Sequence, residues 1–120
     1  MNALRFAGFA LMTIMFFATG CGTPKPGPDP LEGWNLLSQD PNKLDGAIRA
    51  DYRDYIQKLP AEERRYVQDF NIRFVADGTG RHAVRISIPD KGIWWEHILI
   101  YDQNNQRVQA IKRISGYYQS

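Results

Sequence analysis

The sequence predicts an α+β domain, two helices followed by a four-stranded antiparallel β-meander. Apolar residues recur at threes and fours from Leu44 to Leu59, then alternate one by one from Ile72 onward, a change of period from 3.6 to 2. Three turn signals, Asp77-Gly78-Thr79-Gly80, Pro89-Asp90-Lys91-Gly92 and Asn104-Asn105, divide the alternating half at hairpin spacing. The chain is 120 residues long, the size of one domain rather than of a multidomain enzyme. Lys and Arg number 15 against 13 Asp and Glu, a formal net charge of +2. A nucleic-acid partner calls for a clustered basic excess, so none is expected.

In chain order, the first element is a leader. Arg5 supplies a positive start, and Phe6 to Ala18 is an uncharged run of 13 residues. That is too short for a membrane-spanning helix, which needs about 20 apolar residues, and it reads as a signal sequence. Ala18-Thr19-Gly20-Cys21 closes the run. These four residues resemble the lipobox of bacterial lipoproteins, with Ala18 where that pattern usually carries Leu. The resemblance covers the first 21 residues. It implies that the Cys21 thiol receives a diacylglycerol, that residues 1–20 are cleaved as a signal peptide, and that the new terminal amine is acylated. Gly22, rather than Asp, after the cysteine implies sorting to the outer membrane, facing the periplasm. Cys21 is also the single cysteine, so no disulfide partner competes for it.

Residues 21–30 read as a lipidated start and a proline-rich tether, leaving 31–120 for the folded domain. Pro24, Pro26, Pro28 and Pro30 on alternate positions favour an extended spacer of about 3 Å per residue, lifting the domain by up to roughly 25 Å. Leu31 to Leu37 is expected to form a short helical turn, with Trp34 and Leu37 capping a core. Asp40-Pro41 starts the first helix, with Leu44, Ile48, Tyr52, Tyr55, Ile56 and Leu59 on its inner face. Pro60 ends it and opens a second, with Tyr66, Val67 and Phe70 inward. Arg49, Asp51, Arg53, Asp54, Arg64 and Arg65 form a solvated face.

The odd-length loop after Ala76 puts the even-numbered side chains of the first two meander strands on one face. A four-residue turn after Ile88 would pair Ile88 with Ile93, Ile86 with Trp95 and Val84 with His97. The Asn104-Asn105 hairpin would pair Tyr101 with Val108 and Leu99 with Ala110. Ile72, Phe74, Val84, Ile86, Ile88, Trp95 and Leu99 then pack under the helices. The opposite face gathers Arg73, Arg81, Arg85, Glu96 and Arg113 around Val75, Trp94, Ile98, Ile100 and Ile111, with Glu96 between Arg85 and Arg113. Two readings stand. One is a cross-strand salt ladder with apolar filler beneath the tether or a terminus. The other is a partner-binding face of Trp94, Arg81, Arg85, Glu96, Ile98 and Arg113, with Trp94 as anchor and arginine as rim.

Catalysis is not expected. Trp94-Trp95-Glu96-His97 lies on a strand, where neighbours point to opposite faces, so Glu96 cannot orient His97. His82 and His97 would be diagonal neighbours on adjacent strands, but no third ligand joins them and Lys112 lies opposite His97, so no metal is expected. Asp77-Gly78-Thr79-Gly80 joins two strands without the lysine and helix of a phosphate loop. Ser38, Ser87, Ser115 and Ser120 stand in no nucleophile motif, and no cofactor is implied. The expected function is that of a small membrane-anchored lipoprotein of the cell envelope. It meets the lipid bilayer through acylated Cys21 and binds an envelope protein or supports envelope assembly. The alternatives are a cell-wall glycan-binding module, using Trp94, Tyr117 and Tyr118, and an inhibitor or immunity protein for a toxin or hydrolase.

Overall fold

The structure, a computed structural model, describes residues 25–118, so the leader at 1–20 and Cys21 lie outside the described residues. Strand β1 (Asn35–Ser38) comes first, then helix α1 (Gly46–Gln57) and the single turn α2 (Ala61–Arg64). Strands β2 (Ile72–Ala76), β3 (His82–Asp90), β4 (Ile93–Tyr101) and β5 (Arg107–Tyr117) follow. All five strands form one antiparallel sheet in chain order. The architecture is α+β, with five strands where the sequence predicts four, because the segment expected as a helical turn supplies β1. Gly33, at φ 88°, turns the chain out of any helix, and Asn35 and Leu36 pair with Ala76 and Val75 on the otherwise open side of β2. Trp34 is half-buried, whereas Leu37 is exposed rather than capping a core.

The helical half is shorter than its periodicity suggests. Asp40 caps only a 3-10 turn, Pro41–Lys43, by accepting from the N–H of Asn42 at 3.0 Å. Leu44 is extended, and Asp45 begins α1 proper by accepting from the N–H of Ala47 at 2.8 Å. Helix α2 stops after one turn at Arg64, so Val67 reaches the core but Tyr66 and Phe70, expected inward, are exposed. Leu44, Ile48, Tyr52 and Leu59 pack on Ile72, Phe74, Val84, Ile86, Ile88, Leu99 and Tyr101. Each such side chain contributes about 1.5–3 kcal/mol when fully buried.

The even-numbered side chains of β2 and β3 share a face as expected, with Phe74 opposite Val84 and Ile72 opposite Ile86. The β3–β4 pairing differs by two residues. Lys91 and Gly92, at φ 51° and 85°, make a two-residue hairpin that suits the twist of the strands. Ile88 therefore faces Trp95, Ile86 faces His97 and Val84 faces Leu99. Pro89 lies inside β3 rather than in the turn. Opposite Trp94 it is one step from the closing pair, where its missing N–H points away from β4, beyond the start of β2. A shift of two preserves which side chains share a face. Leu99 faces Ala110 as expected, but an irregularity sets Tyr101 opposite Arg107 rather than Val108.

The second face of the sheet is covered by the chain's own N-terminal segment, a strap running from Gly27 to Trp34. Leu31 is buried on Val75, Ala83, Ile98 and Ile100, with Trp34 and Ile111 packed at the margin. The proline-rich stretch is thus not a free spacer along its whole length.

Candidate functional site

Consecutive side chains on β4 point to opposite faces, which separates Glu96 from His97 and builds a polar cluster around each. On the strap face, Arg85 donates to Glu96 through Nε at 2.9 Å and Nη2 at 3.1 Å, while Arg113 donates through Nη1 at 3.0 Å. Glu96 stands opposite Arg113 as expected, but opposite Ser87 rather than Arg85, which reaches it diagonally. The strap completes the cluster. Arg85 Nη2 lies 3.0 Å from Asp29 Oδ1, and Arg113 Nη2 donates to the Gly27 carbonyl at 2.8 Å. Two cations meet two carboxylates, and Glu96 is only 4% exposed. Burial works to raise the Asp29 carboxyl, but the N–H of Leu31 and the charges of Arg85 and Arg113 outweigh it and leave it below the ordinary range. Burial likewise works against the Arg85 charge, and Glu96 and Asp29 overcome it.

On the helix face, His97 is 3% exposed and both its ring nitrogens are occupied. Tyr55 Oη lies 2.7 Å from Nδ1 and Glu63 Oε1 lies 3.1 Å from Nε2. A carboxylate only accepts, so Nε2 carries the proton and the Tyr55 hydroxyl donates to Nδ1. Burial holds the His97 imidazole below its ordinary value, with Glu63 opposing in part. Burial also raises the Tyr55 hydroxyl. Glu63 is lowered: burial works to raise it, but His97 and Lys112, whose Nζ is 3.3 Å away, prevail. With no lone pair left for a substrate proton, this arrangement pins the helices to the sheet. Next to it, Tyr101 donates to Asp51 at 2.6 Å, and Asp51 also pairs with Arg107, so Asp51 belongs to a packed network rather than to a solvated face.

Of the residues expected to bind a partner, Arg85, Glu96 and Arg113 converge as the salt cluster, and Ile98 is fully buried beneath the strap. Arg81 lies apart, its guanidinium 5.5 Å from the Trp34 ring. His82 and His97 are not neighbours, because they stand opposite Tyr101 and Ile86. No group of three or more metal-ligating side chains gathers among the described residues. Trp94 remains half-exposed, at the end of the strap face that the strap leaves open. Its ring packs against Tyr118 at 5.4 Å, and it shares a shallow cavity of about 280 Å³ with Phe70, Asn71, Arg73 and Ser87. No known protein family, characterised protein or solved structure matches this chain. The sequence reading missed Phe70, which is 68% exposed, because helical spacing turned it inward. It also missed Tyr55 and Glu63 as partners of His97. Their signal was Lys112, already expected opposite that histidine, which marks where an acid is needed.

Proposed function

We propose that this chain is a small lipoprotein of the cell envelope, anchored by acylated Cys21 and facing the periplasm, with a non-catalytic protein-binding or assembly role. Its binding surface is the open end of the strap face, with Trp94 and Phe70 as anchors and Tyr118 and Arg73 beside them. One observation carries this reading: Phe70, a large apolar side chain, stands exposed beside a half-exposed Trp94, at the end of a face whose central apolar residues, Val75, Ala83, Ile98 and Ile100, are covered. Aromatic and arginine side chains dominate the energetics of protein interfaces. Arg85, Glu96 and Arg113 serve the surface indirectly, by holding the strap down.

The test is a photoreactive amino acid placed at Phe70 in the full-length protein, in intact cells. A discrete protein adduct that disappears in Trp94→Ala supports the proposal. An adduct unchanged by Trp94→Ala, or adducts equally abundant from a control position at Ala50, would sink it. Arg73 and Ser87 beside Trp94 favour cell-wall glycan as a second reading, since they add hydrogen-bonding groups next to an aromatic platform. Muropeptide binding that depends on Trp94 would select it. Acylation has its own check, in which labelled palmitate enters the wild-type product and not Cys21→Ser.

A further inference from the structure

Strand β5 is the last of the sheet, with β4 as its one neighbour among the described residues. Between that edge and the strap runs a groove of about 600 Å³. Its apolar wall is Pro28, Ile111, Ile114 and Trp95, and the charged side chains lining it are all cations, Lys25, Lys112 and Arg113. We infer that this groove is the surface the domain lays on the anionic phospholipid headgroups of the bilayer that holds Cys21.

The inference rests on the acylation of Cys21 and deepens that reading by choosing the face that meets the membrane. Its first support is reach. The strap is clasped to the sheet from Gly27 onward, so it cannot lengthen the tether there. Lys25 lies four positions after Cys21, and a fully extended chain covers at most about 14 Å over that span. The thioether of a lipidated cysteine sits at the base of a headgroup layer about 5–7 Å thick. Lys25, which lines the groove itself, is therefore held within roughly a Debye length of the anionic surface.

The second support is charge. Asp29 and Glu96 balance Arg85 and Arg113, and Glu63 balances Lys112, so Lys25, in no ion pair among the described residues, leaves the groove with one net positive charge. Lys112 touches Glu63 and still leaves 47% of its side chain exposed, with its ammonium 5.0 Å from the Trp95 ring. A tryptophan flanked by lysines and isoleucines is the composition that settles at a membrane interface.

The experiment uses full-length acylated protein in vesicles, with a fluorophore on Pro28→Cys in the groove wall or on Ala50→Cys on the exposed side of α1. Both positions are exposed, so neither substitution disturbs the core. The probe is a nitroxide quencher fixed to lipid headgroups. In vesicles containing phosphatidylglycerol, the label at residue 28 is expected to be quenched several-fold more than the label at residue 50. That difference should collapse in phosphatidylcholine alone, in high salt and in Lys25→Glu. Protein that floats with the vesicles but is quenched equally at both positions would overturn the inference and leave the anchor standing. Protein that does not float would remove both. In native envelopes, a photocrosslink from residue 28 to an extended protein segment instead of lipid would make β5 a strand acceptor and refute the membrane assignment.

Discussion

Glu96 and His97 are adjacent in sequence and opposite in environment, and each shows what burial demands of a polar side chain. Glu96 neutralises two arginines whose side chains are 18% and 15% exposed. Glu96→Ala would leave two part-buried cations with Asp29 as their one carboxylate, so a loss of about 3 kcal/mol is expected, measured by urea unfolding. His97 sets a pH dependence. Its folded pKa is lowered, so the unfolded chain binds the proton more readily and stability increases with pH through this window. The contribution is complete above the ordinary imidazole value of about 6.5 and is lost progressively as pH falls below it. Glu63 and Asp29, also lowered, lose their contributions only further down, in the range below about 4. Melting temperature should therefore drop between neutral and mildly acid pH in the wild type, and His97→Gln should flatten that slope. An unchanged slope in the variant would show that another group titrates there.

At the scale of elements, the strap and β1 alter the molecule most relative to expectation. Alternating prolines argue against helix and central strand, but that leaves open whether the chain stays in solvent or lies on a sheet. Leu31 decides the matter by burying itself on Val75, Ala83, Ile98 and Ile100. Leu31→Ala should cost about 2–5 kcal/mol and open residues 25–34 to limited proteolysis. Helix α1 offers a smaller test. Asp45→Ala removes the side chain that caps the Ala47 N–H and should cost about 1 kcal/mol in thermal unfolding. Asp40→Ala should cost less, since that residue caps only a 3-10 turn. The second helix failed to reach Phe70 because a few apolar residues at helical spacing cannot hold a short helix that tertiary contacts do not complete.

For the whole molecule, one sheet serves as the inner layer of two apolar clusters. Val84, Ile86 and Leu99 face the helices, while Ala83 and Ile98 face the strap. Strands β3 and β4 thus belong to both, and neither cluster can open without exposing the sheet between them. Leu31→Ala and Ile48→Ala should accordingly lower the midpoint of a single unfolding transition, whether followed by far-ultraviolet circular dichroism or by tryptophan fluorescence. Separate transitions for the strap and the helices would show that the two layers are independent.

The change of hydrophobic period and the turn residues were enough to predict the α+β class, the position of α1, the four strands of the meander and the division of side chains between its faces. Those features depend on neighbours within a few residues. The convergence of Arg85, Glu96 and Arg113 was also legible, because a register error of two leaves the faces unchanged. The fifth strand, the short α2, the exposed Phe70 and the partners of His97 were not legible. Each depends on contacts between distant positions, as when Asp29 meets Arg85 across 56 residues of chain. Local pattern sets which faces are apolar. Only the folded chain decides what covers them, and here the strap takes one end of a face and leaves Trp94 and Phe70 at the other.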